Sequence, residues 1–95
     1  MGNSLTKRNQ RKNRLEAFML QLPSLRAEWY RIEQITKYQF TMEYSAEQGS
    51  AVQVYPTTLR IVTSEHQSIS CTSISDLIEK AAHYSLARGN YYAQI

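Results

Sequence analysis

The stretch MGNSLTKRNQRKNR places glycine behind the first methionine and threonine four positions on, so Gly2 and Thr6 satisfy M-G-x-x-x-[ST], the pattern of N-myristoylation substrates. Glycine suits that chemistry because methionine removal must expose an amine small enough to enter a narrow acyl-transfer site. Five cations follow with no acid among them: Lys7, Arg8, Arg11, Lys12 and Arg14. One myristoyl chain gives an association constant of only about 10⁴ M⁻¹, roughly 5.5 kcal/mol. Each cation beside an anionic leaflet adds about 1 kcal/mol, less at high salt. Lipid and charge together would hold the chain at the cytoplasmic face of a membrane.

The same five cations admit two other uses. Neutralising phosphates, they would give a log–log salt slope of about −4.5 on duplex DNA, which makes nucleic acid the alternative partner. With Asn9, Gln10 and Asn13 between them, they could also form a solvated tail.

Catalysis finds little to work with. Cys71, His66, His83, Asp76 and the scattered glutamates show no recognised motif spacing. Cys71 alternates with Ile69 and reads as a small buried hydrophobe. The expectation is a non-enzymatic protein with no metal or other cofactor. Aromatic residues are more suggestive, with seven tyrosines and one tryptophan in 95 residues. Trp29, Tyr84, Tyr91 and Tyr92 are the candidates for binding a protein partner, because such side chains bury a large area at low entropic cost. That aromatic patch, or a sheet edge, also offers a route to a homodimer.

These residues need elements to position them. Leu15, Phe18, Met19 and Leu22 fall on one helical face, and a helix here should stop near Pro23. SLRAEWYRIEQI puts Leu25, Trp29 and Ile32 on a second helical stripe, giving two short helices or one kinked helix. From Lys37 the period becomes two, and Tyr38, Phe40, Met42 and Tyr44 line one side of a strand. A turn around Gly49 leads to AVQVY, which Pro56 interrupts. TLRIVT and ISCT supply two more strands, with SEHQS turning between them. A last helix begins near Ser73, which stands at capping-box spacing from Asp76, although Ser75 could cap alone. Arg88 suits its negative end and Gly89 its stop, after which NYYAQI trails off over an edge.

A chain of this length makes one domain. Residues 1–14 carry +5, while the remainder has six cations and eight acids, so charge-driven recognition belongs to the arm. The lone Cys71 excludes an intramolecular disulfide and fits a reducing compartment. No run approaches the roughly 18 apolar residues of a membrane span, and no apolar core of about seven follows the early charges as in a secretory signal. The expected architecture is α+β: a basic, flexible arm over residues 1–14, then one domain over residues 15–95. In it a three- or four-stranded antiparallel sheet carries the N-terminal helix or helices and a C-terminal helix on one face.

The opening resembles that of small N-myristoylated peripheral membrane proteins, retroviral matrix segments among them. That resemblance covers residues 1–8 and implies a virus-encoded or regulatory adaptor that brings a protein partner to the membrane. Matrix domains are all helical, whereas residues 37–72 read as strands, so no fold is implied. The order helix, three strands, helix is similar to that of the double-stranded RNA-binding domain, with Ser73, Ala81 and Ala82 matching the start and small-residue pair of its last helix. That likeness implies RNA binding. The family places a lysine cluster where this chain has ISDLIE, so Asp76 and Glu79 would repel phosphate, and membrane attachment ranks above RNA binding.

Overall fold

The computed structural model describes residues 2–47 and 50–94, with side chains over 6–47 and 50–86. Helix α1, Gly2–Glu28, leads into strands β1 Arg31–Thr36, β2 Gln39–Glu43, β3 Val52–Tyr55, β4 Arg60–Val62 and β5 Ser68–Ser70, and helix α2, Ile74–Gln94, is the last described element. The strands form one antiparallel meander in the order β1-β2-β3-β4-β5. This is the expected α+β arrangement with five strands rather than three or four.

Register explains the core. Ile32 lies opposite Met42, Phe40 opposite Val54, Met42 opposite Val52, and Ile61 opposite both Val54 and Ile69. Strand alternation sends all of these to one face. They meet Phe18, Leu22 and Leu25 from α1, Trp29 just past its end, and Leu77 and Ala81 from α2. The Phe18 and Phe40 rings stand 4.8 Å apart and tilted, a favourable aromatic geometry. Each such large side chain contributes about 1.5–3 kcal/mol by leaving water. The other face is polar: Arg31 pairs with Glu33 and Glu43, and Gln53 Oε1 accepts from Gln39 Nε2 and Thr41 Oγ1.

Four boundaries differ from the sequence expectations. The helix runs through Pro23 instead of stopping there; Pro23 is exposed, and buried Leu22 and Leu25 hold the chain against the sheet on either side of it. Helix α1 ends at Glu28, and RIEQIT is β1 rather than helix. Tyr30 N donates to Tyr44 O, and β-branched Ile32, Ile35 and Thr36 suit the pleated edge they occupy. The strand expected from Lys37 begins at Gln39, with Lys37 and Tyr38 in the β1–β2 turn. Helix α2 continues past Gly89 to Gln94, so that glycine does not end it. The turn placed at Gly49 lies outside the described residues.

The expected arm is helical: residues 2–14 are the first half of α1, and no element boundary falls at 14. At the other end of the chain, Ser73 is the cap of α2, its Oγ accepting from Asp76 N at 3.1 Å. Asp76 reaches back one residue further than in a capping box, accepting from Thr72 N at 2.8 Å. Buried Ser85 ties α2 to the β2–β3 connection, donating to Ser50 O at 2.6 Å and accepting from Tyr44 N at 3.0 Å.

Candidate anion-binding groove

The inward stripe of α1 changes character along its length. Phe18, Leu22 and Leu25, with Trp29 one residue past the helix, recur at intervals of four and three, and the same phase continued backward passes through Arg14, Arg11 and Lys7. A helix of 27 residues is about 40 Å long, whereas the five-residue β2 spans about 17 Å. Helix α1 therefore outruns the sheet. Its stripe is apolar where it lies on strands and cationic where it passes their end.

That overhang forms one wall of a groove of about 880 Å³, to which α1 contributes Lys7, Arg8, Arg11, Lys12, Leu15 and Glu16. The opposite wall is Lys37 and Tyr38 of the β1–β2 turn with Thr57, from the 3₁₀ turn Pro56–Thr58. Five cations and one carboxylate line the space, a balance that concentrates positive potential in a recess. Arg14 is half-buried and does not line the groove. Its Nη1 donates to Thr57 O at 3.1 Å, fastening α1 at the point where it leaves the sheet.

Thr57 is itself held. Pro56 is buried, Leu59 N donates to Pro56 O, and Leu59 takes the left-handed φ of 52° that turns the chain into β4. On the other side, register slips between Gln34 and Thr36, the kind of irregularity that re-aims neighbouring side chains. Tyr38 N donates to Thr36 Oγ1 at 3.2 Å. Lys37 Nζ lies 5.6 Å from the centre of the Tyr38 ring, within cation–π range, and half of Tyr38 is exposed.

Among the residues singled out from sequence, Lys7, Arg8, Arg11 and Lys12 are brought together in the groove. Gly2 lies in the first turn of α1 and Thr6 is exposed on it. Trp29 is buried in the core, 4.9 Å from Tyr44 and edge-on to it, and its Nε1–H has no hydrogen-bond partner among the described residues. Tyr84 packs half-buried against the core and edge-on to His83. The side chains of Tyr91 and Tyr92 lie outside the described residues. Lys37, Tyr38 and Thr57 were not expected at the site. The signal was present for the helix wall, in the common phase of 7, 11 and 14 with 18, 22, 25 and 29.

Burial pushes the Cys71 thiol up, with Asp76 adding to the shift and Lys80 opposing it, which disfavours the nucleophilic thiolate. His66 is exposed with φ 67°. Among the described residues no three His, Cys, Asp or Glu side chains are grouped to hold a metal, and no helix is long and apolar enough to cross a membrane. Compared with known proteins, the chain matches no family model, no curated protein and no solved structure.

Proposed function

We propose that this chain is a non-enzymatic nucleic-acid-binding protein that grips a phosphate backbone between α1 and the β1–β2 turn. One observation carries this reading: cations from two separate elements, Lys7, Arg8, Arg11 and Lys12 on the helix and Lys37 on the turn, converge on one concave space. A strand of phosphates enters such a recess, whereas a planar bilayer meets only its rim. The carboxylates that speak against the RNA-binding-domain likeness do not line the groove. Asp76 is engaged by Thr72 and Lys80 at the start of α2.

Membrane attachment keeps one specific observation in its favour. Leu20 is 81% exposed and Met19 40% exposed on α1, so the helix carries apolar side chains beyond its cations, as interfacial helices do. Gly2 and Thr6 would add the acyl chain.

Both readings meet in one experiment. The intact chain is titrated against a labelled strand of about 12 nucleotides and, separately, against phosphatidylcholine vesicles containing phosphatidylserine. Nucleic-acid binding that weakens about 100-fold when Lys7, Arg8, Arg11 and Lys12 are replaced by alanine supports the groove. Binding to vesicles alone, with release by Gly2→Ala after expression in a eukaryotic cell, overturns it in favour of the anchor.

A further inference from the structure

We infer that the groove takes an unpaired strand, with Tyr38 as the platform on which one base stacks. This rests on the reading of the groove as a nucleic-acid site and adds to it a choice between single strand and duplex. A helix that reads duplex DNA must lay its contact face freely into the major groove. Here Lys7 and Arg11 lie on the same stripe that packs on the sheet, and the turn carrying Lys37 and Tyr38 stands across from them. A duplex is kept off that stripe by the protein's own hairpin.

An unpaired strand suits the same geometry. Its phosphates follow the cationic wall, and its bases are free to turn toward the opposite wall. Tyr38 is there, half-exposed and among the lining residues. Its backbone is fixed by the Thr36 hydroxyl, so a stacking base does not have to order the turn. Lys37 Nζ lies over one face of the ring, 5.6 Å from its centre, so a base takes the other face and the lysine charge stands near its phosphate. Base-on-aromatic stacking is indifferent to sequence, because every base has a flat face. The preference is therefore for unpaired over paired nucleic acid, without base selectivity.

Three ligands separate the stacking from the charge: a thymidine strand of about 12 nucleotides, the abasic strand of equal length, and the duplex formed with the complementary strand. The wild-type chain is expected to bind the thymidine strand about 10-fold more tightly than either of the others. Tyr38→Leu, which leaves the exposed turn its apolar bulk, should erase that difference and keep the affinity for the abasic strand. Tyr38→Phe should preserve the difference. Equal affinity of the wild-type chain for thymidine and abasic strands, or an unchanged preference in Tyr38→Leu, overturns the stacking platform while leaving the groove as a phosphate site. Absence of binding to all three ligands overturns the groove reading and the stacking with it.

Discussion

The Arg14 guanidinium donates to the Thr57 carbonyl across 3.1 Å, joining residues 43 apart in sequence at the place where α1 passes the end of the sheet. Cations upstream of that bond line the groove, and Phe18, Leu22 and Leu25 downstream of it fill the core. Arg14→Leu removes the bond and keeps the helix. The expected result is a loss of about 1 kcal/mol in stability, since the pair is only partly buried. If the groove holds nucleic acid as proposed, affinity should fall with no change in salt slope, because Arg14 is outside the lining. Denaturant melts and salt-dependent titrations check the two parts separately.

Pro23 lies within α1 without an amide to donate to the preceding turn, a defect that costs about 3 kcal/mol in a helix interior. It is exposed, so its ring does not fill the core. Pro23→Ala should raise stability by up to that amount, read as a higher denaturation midpoint with an unchanged slope.

Ser85 is wholly buried and bridges Tyr44 N and Ser50 O. Alanine would leave a part-buried donor and a part-buried acceptor unmatched, so Ser85→Ala should cost about 1 kcal/mol or somewhat more. Thermal unfolding would show it.

Hydrogen bonding from the Thr72 amide, followed by that from Lys80, holds the Asp76 carboxyl below the usual carboxylate range. A folded value below the unfolded one means the contribution is present above pH about 4 and is lost as pH falls through the folded value. Lys80 is raised chiefly by its hydrogen bond to Asp76, so its share is present below pH about 10.4 and lost as pH rises through the folded value. Asp76→Asn should flatten both limbs of the stability–pH curve. Tyr44 offers a separate check, being raised first by its hydrogen bond to Glu28 and then by that residue's charge. Glu28→Gln should bring the Tyr44 phenol back toward its ordinary range in a phenolate absorbance titration.

Much of the fold was legible because apolar periods survive in three dimensions. Val52, Val54, Ile61 and Ile69 alternate in sequence and share the inner face of the sheet. The errors fall where tertiary contacts decide. Trp29 and Ile32 fit one helical stripe, yet the Ile32–Met42 pairing takes Ile32 into β1. Tyr38 alternates with Phe40 and Met42, but the hairpin must reverse somewhere, and it reverses at Lys37 and Tyr38. That shift hid the β1–β2 side of the groove. The cations themselves were evident as a charge run; their concavity was not, because it depends on how far α1 outreaches strands whose lengths the sequence leaves open. Thr57 carried no signal, since its role is a backbone carbonyl.

The proposed groove is tested most directly by backbone amide shifts in a ¹H–¹⁵N spectrum during titration with an unpaired strand of about 12 nucleotides. Binding in the groove should shift most strongly the amides of Lys7 to Glu16, of Lys37 and Tyr38, and of Thr57. Changes centred instead on the polar sheet face around Arg31, Thr41 and Gln53, with the groove amides unmoved, would contradict it.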